Sequence, residues 1–343
     1  MAEQGSEGSS GKLRRVQYLF NEFSPGMLTC LTLGLAATFI AEHYGGPVML
    51  YALLFGMAFN FLSEEGKCLP GVHLTSQLVL RIGVALLGVR ITVDQVMELG
   101  LWPVLMVIGA VVSTILVGWG LARMLGLGRD HGLLSGGAVA ICGASAAMAL
   151  SLVLPKDDES EQRTILTVVG LTTLSTLAMV LYPAIVSFLS MDNFTAGIFL
   201  GGTIHDVAQV VGAGFMISPE TGDVSTLIKL MRVAMLVPVV FLFTIFFSHG
   251  VREAGEAKTP LLPAFLVSFV ALVIINSLGI IPEAAVEVLI DLSRWCLVSA
   301  IAALGIKTSL KSLAVVGWLP VILMVAETVY LCVLVVLMVT FFT

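Results

Sequence analysis

Stretches of about 20 mostly apolar residues, the length that crosses bilayer hydrocarbon, succeed one another from residue 27 to residue 341. Only short polar breaks separate them. Such a chain has no polar surface with which to wrap a water-soluble core. Of its 343 residues 58% are hydrophobic and 12% charged, whereas a soluble domain carries roughly 25% charged residues. Lipid must cover the remainder. In hydrocarbon a helix satisfies its own backbone, so the expected fold is all-α, a polytopic transmembrane helix bundle. Segments fall at about 27–42, 47–62, 75–93, 101–125, 132–154, 164–189, 194–215, 224–248, 261–280, 285–305 and 315–341.

Residues 1–24 are polar and read as a disordered cytoplasmic tail, followed by a single integral-membrane domain over 25–343. No cleavable signal peptide is expected, because no small-residue cleavage pattern follows the tail. The cysteines Cys30, Cys68, Cys142, Cys296 and Cys332 show no CxxC spacing, and most lie in apolar runs as small buried hydrophobes. Neither a metal site nor a cofactor is expected. With eleven crossings and the N-terminus inside, ten Lys or Arg fall inside and at most four (Arg90, Lys156, Arg163, Arg294) outside. That bias places the N-terminus in the cytoplasm. If the fifth and seventh segments re-enter instead of crossing, the N-terminus stays in the cytoplasm, whereas the loop PKDDESEQR changes side.

A repeat stands at an offset of 217 residues: ALLGVRITVDQVMELGLWP (85–103) aligns with AALGIKTSLKSLAVVGWLP (302–320). Gly88 meets Gly305, Arg90 meets Lys307, Gly100 meets Gly317 and Pro103 meets Pro320. The copies lie seven crossings apart, so they run in opposite directions, as in the inverted repeats of secondary transporters. Such folds bind substrate at interrupted helices, and two segments here are rich in glycine.

The fifth holds Gly136, Gly137, Cys142, Gly143, Ala144 and Ser145. Glycine costs about 1 kcal/mol in a helix interior, so the cluster marks either close helix packing or a broken helix whose free amides face an anion. The seventh holds His205, Asp206 and Gln209, with His205 and Gln209 at i, i+4. Ionisable groups at that depth cost at least ~2.5 kcal/mol and face cavities or partners, unless the segment enters shallowly. Histidine beside a carboxylate suits proton coupling. Lys229 and Arg232 share a face of the eighth segment, either snorkelling to headgroups or clamping an anion. Arg90 and Lys307 read as orientation anchors at helix ends, and Asn60 and Asn276 as cavity lining or helix caps. No G-x-x-x-x-G-K-[ST] loop, H-E-x-x-H or G-x-S-x-G occurs, which weighs against ATP-driven transport and hydrolases.

The runs GGAVAICGASAAMAL (136–150), VLYP (180–183), GIFLGGTIHDVAQVVGAG (197–214), TLIKLMRV (226–233) and GIKTSL (305–310) resemble the YeiH family of sulfate exporters. The likeness extends from about Pro25 to the C-terminus. It implies an inner-membrane multi-pass protein, distantly similar to the bile-acid symporters and cation–proton antiporters. Cys142, Gly143, Ala144 and Ser145 match its first motif; His205, Asp206, Gln209, Lys229 and Arg232 match the later ones. The function implied is secondary transport, as an exporter, of a small anion such as sulfate, with a proton or another ion coupled. An ion channel and an intramembrane enzyme using Cys142 and His205 are the alternatives. The expected partners are a small inorganic or organic anion, the coupling ion and membrane lipid, with homo-oligomerisation open and no nucleic acid.

Overall fold

The computed structural model of the chain describes residues 7–63, 66–247, 263–308 and 318–342. Among these there is no strand. The helices are α1 (Glu7–Tyr44), α2 (Val48–Ala58), α3 (Leu69–Arg90), α4 (Val93–Glu98) and α5 (Leu101–Met124). There follow α6 (Arg129–Ala140), α7 (Ala144–Ser151), α8 (Ser160–Phe188), α9 (Asn193–Thr203) and α10 (Val207–Ile217). The chain continues through α11 (Pro219–Phe247), α12 (Ala264–Ser277), α13 (Glu283–Lys307) and α14 (Trp318–Phe342). Seven stretches among the described residues are long and apolar enough to cross a bilayer: Asn21–Tyr44, α3, α5, α8, α11, α13 and Trp318–Phe341. The protein is a polytopic helical bundle, and both glycine-rich segments are interrupted.

Helix α1 starts at Glu7, so it takes in residues 7–24, which composition assigns to a disordered tail. Once an apolar span supplies the nucleus, each further helical residue adds a hydrogen bond at little cost. Residues 1–6 lie outside the described chain, as do the charged stretch 248–262 and positions 309–317 of the repeat. The described ends of the repeat keep register. Helices end at Arg90 and Lys307, a pair separated by 217.

Contacts gather into two compact units: Met1–Gly83 with Asp291–Thr308, and Val84–Ile290 with Ser309–Thr343. In the first, glycine meets glycine. A Cβ on Gly26 would fall 2.7 Å from Gly71 Cα, and one on Gly56 would fall 2.8 Å from Gly305 Cα. Asn60 Nδ2 donates to Ile306 O (2.6 Å) and Thr308 O (3.1 Å), capping carbonyls at the end of α13. Of the two roles open to Asn60, this is the helix cap.

The second unit carries the interrupted segments. Helix α5 buries Met106, Ala110, Thr114, Gly118 and Ala122 and exposes Leu105, Val112 and Leu116. Small residues inside and large ones outside suit a helix that meets lipid. Helix α6 runs back along it: Gly132 lies against Ala122, and Gly136 against Thr114 and Gly118.

Both interrupted segments fold back on themselves. Thr221 Oγ1 donates to Asn193 O (3.1 Å) at the start of α9, and Thr221 N donates to Ser218 Oγ (3.0 Å) just past α10. The two ends of this segment therefore meet. Along α11, Gly201 lies beside Ser225 and Ile228, and Gly214 beside Gly222 and Ser225. The arms run in opposite directions over one stretch of helix. At 1.5 Å per residue each 11-residue arm spans about 16 Å, half of a hydrocarbon core of about 30 Å. In the other segment Gly137 on α6 lies against Leu150 on α7. Asp130 and Leu134 line one small cavity with Ser151, Leu154, Ser160 and Arg163. These are two helical hairpins, 129–151 and 193–217.

Helix α8 fixes their senses of entry. The base of hairpin 129–151 sits at the first turns of α8, with Ser160 and Arg163. Hairpin 193–217 begins just beyond the other end of α8, and its turn reaches the middle, where Asp206 N donates to Ser175 Oγ (3.0 Å). The hairpins enter from opposite ends of α8. At the second base Asp192 accepts from Thr195 N (2.9 Å) and Thr195 Oγ1 (2.8 Å). Those bonds hold its carboxyl below the usual carboxylate range.

Candidate functional site

The two turns are Ile141–Cys142–Gly143 and Ile204–His205–Asp206, and they touch. A Cβ on Gly143 would lie 3.5 Å from His205 Cβ. Gly143 has φ +61° and ψ −121°, a conformation that L residues with side chains avoid, and this is what stops α6 and lets α7 start in a new direction. In the other turn Ile204 (ψ 138°) and Asp206 (ψ 145°) are extended.

Each hairpin presents the carbonyl end of its ascending arm, α6 or α9, and the amide end of its returning arm, α7 or α10. The carbonyl ends are filled by cations from α11. Lys229 Nζ donates to Ile141 O (2.7 Å) and Ile204 O (2.9 Å). Arg232 donates through Nε to Ala140 O (3.0 Å), through NH2 to Val139 O and Ala140 O (both 2.8 Å), and through NH1 to Gly201 O and Ile204 O (both 3.2 Å). Both side chains are 0% exposed, so neither snorkels. One face of α11 thus ties both turns together, and the spacing i, i+3 read from sequence is what allows it. Positive charge is stabilised at the carbonyl ends of helices.

The amide ends are different. Neither Gly143 nor Asp206 caps the helix after it with a side chain. The Asp206 carboxylate lies within electrostatic reach of Lys229 and Cys142 and is partly exposed. Cys142 is buried, and Ser145 Oγ donates to its Sγ (3.0 Å). Ser145 and Ala144 are accessible. His205 sits in the turn and not on the helix, so its sequence spacing to Gln209 is not a helical one. His205 Nε2 meets Thr328 Oγ1 of α14 (2.9 Å), and Gln209 Nε2 donates to Thr176 Oγ1 of α8 (3.4 Å). Among the described residues His205 Nδ1 and Gln209 Oε1 have no hydrogen-bond partner although both residues are buried.

Arg90 pairs with Asp223 at 3.1 Å and lies over the Phe215 ring. It anchors the base of hairpin 193–217, beside a cavity of about 570 Å³ lined by Glu98, Glu220 and Asp223. That cavity is remote from the turns and rich in acid.

One buried group escapes the motif-based reading. Glu327 on α14 is 0% exposed and accepts from Ser135 Oγ of α6 at 2.8 Å. Its signal is plain in the sequence: it is the only charged residue in WLPVILMVAETVYLCVLVVLMVTFF.

A family model described as conserved hypothetical protein 698 matches residues 25–324. A UPF0324 membrane protein of Chlorobaculum tepidum is 54% identical over 330 residues, 96% of this chain and 92% of its own length. A UPF0324 membrane protein of Rhizobium meliloti is 50% identical over 325 residues, covering 93% and 94%. UPF0324 membrane protein TauZ of Paracoccus denitrificans is 49% identical over 314 residues, covering 91% and 93%.

Proposed function

Because this chain belongs to the family described as conserved hypothetical protein 698, with UPF0324 membrane proteins as its relatives, we propose that it is a secondary transporter of a small anion. That membership agrees with the YeiH-type likeness of the motifs. The observation that carries the reading is the charge balance where the hairpins meet. Two buried cations, Lys229 and Arg232, and two helix amide ends without a side-chain cap gather at the turns, where the Asp206 carboxylate lies within electrostatic reach of Lys229. Helix N-termini bind anions through free amides and the dipole. Ser145, Ala144 and Asp206 supply the accessible edge, and the unpartnered atoms of His205 and Gln209 supply hydrogen-bonding capacity. The substrate class is an oxyanion such as sulfate, moved outward across the plasma membrane with a proton coupled.

An enzyme is the weaker reading. Cys142 is bonded by Ser145 and His205 by Thr328, so the nucleophile–base contact that such chemistry needs is not formed. The touching turns, bonded through Lys229 and Arg232, likewise favour a carrier over an open channel.

Thermal unfolding of the purified protein in sulfate, and sulfate flux in proteoliposomes with and without a pH gradient, test the reading. Binding stabilises by RT ln(1 + [L]/Kd), about 2.7 kcal/mol at one hundred times Kd. The absence of both a thermal shift and flux, with sulfate and with other small oxyanions, would end the anion reading.

Orientation follows the Lys/Arg rule more strongly with re-entrant hairpins. Lys156 and Arg163 move inside, so ten against four becomes twelve against two, and the N-terminus is cytoplasmic. Cysteines placed at Gly126 and Lys156 should react with an impermeant maleimide from the same side of the membrane, the side on which a reporter after residue 15 is found. Labelling of the two from opposite sides would mean that 129–151 crosses.

A further inference from the structure

Glu327 is buried on every side. Ser135 Oγ donates to its Oε1, and among the described residues its Oε2 meets no partner. A carboxylate so placed lacks the bonds that its charge requires, whereas a neutral carboxyl group carries its own donor. Polar groups lead to it from both directions. On α6, His131 precedes Ser135 by one turn on the same face; it is 3% exposed, and among the described residues its Nε2 has no partner. His131 adjoins Asp130, which lines the small cavity at the hairpin base. On α14, Thr328 follows Glu327 and bonds His205 at the meeting of the turns. The carboxyl therefore stands between one hairpin base and the substrate region.

From this arrangement we propose that Glu327 binds and releases the coupling proton, an inference that rests on the transport reading above and names its coupling site. The titratable and charged groups on the packed elements are Arg123 on α5, Arg129, Asp130 and His131 on α6, Glu161, Arg163 and Tyr182 on α8, and His205 and Asp206 at the turn. Tyr330 and Cys332 share α14. Among the described contacts none hydrogen-bonds Glu327, whose one bonded partner is Ser135. A proton arriving along α6 adds to Oε2, and its loss leaves a charge that only Ser135 compensates. Since Ser135 belongs to the ascending arm of hairpin 129–151, each protonation state favours its own placement of that arm. Proton occupancy and hairpin position are thereby linked.

Infrared titration of the full-length protein in proteoliposomes tests the site directly. Wild type and Asp206→Asn should show a titrating protonated-carboxyl band that Glu327→Gln lacks and Glu327→Asp keeps. With radiolabelled sulfate, Glu327→Gln should keep exchange at equal pH and lose uptake driven by a pH gradient by about tenfold or more. A band that persists in Glu327→Gln, or gradient-driven uptake at the wild-type rate, overturns the proposal. If wild type moves no sulfate at all, the transport reading fails, and the band still decides whether Glu327 takes the proton.

Discussion

Arg232→Ala is expected to cost about 3 kcal/mol of stability or more, since each buried carbonyl left unpaired costs about 1–3 kcal/mol, and to abolish transport. Arg232 makes five bonds to four carbonyls of two hairpins, and a charged hydrogen bond is worth about 1.5–3 kcal/mol. Alanine leaves Val139, Ala140 and Gly201 carbonyls facing a cavity with no donor, and Lys229 alone cannot reach them all. Arg232→Lys restores the charge without the planar fork, so it should recover part of the loss. Thermal unfolding in detergent measures the difference. An unchanged midpoint in Arg232→Ala would show that the turns are held by something other than this side chain.

Gly143→Val should spare insertion and stop transport. At φ +61° and ψ −121° a side chain costs about 1–3 kcal/mol in backbone strain. The new Cβ would also lie 3.5 Å from His205 Cβ, so branched methyl groups press on the turn opposite. Relief comes by moving one turn away from the other, which separates the two amide ends. Gly143→Ala should show the strain with less of the displacement. Expression, unfolding temperature and sulfate flux compared across wild type, Gly143→Ala and Gly143→Val distinguish the effects. Wild-type flux in the valine variant would mean that contact between the turns is not needed for transport.

Much of this was visible in the residues themselves. Glycine clusters mark both interruptions, because a side chain is strained at the Gly143 backbone and collides at the approaches of Gly132 and Gly201. Lys229 and Arg232 stand on one face, and that spacing is what reaches both turns. Their partners were not legible. A lysine and an arginine in an apolar segment look the same whether they await an anion or hold backbone carbonyls. Re-entry was hidden for a similar reason: a hairpin and a crossing helix have one composition, and only contacts such as Thr221 with Asn193 separate them. His205 looked helical because its neighbours are. Glu327 was legible and lay outside the motifs that drew attention, although one acid among so many apolar residues is itself a functional signal.

The ties from α11 to the two turns have an ionic consequence. Carbonyl ends of broken helices are where many carriers take up sodium. Here that place is held by ammonium and guanidinium groups anchored to the polypeptide, and a tethered group acts at an effective concentration on the order of millimolar or higher. It neither dissociates nor competes with bulk salt. The junction behaves as though permanently loaded with its own counter-ion, and so its integrity should be indifferent to which alkali cation, or how much of it, bathes either face.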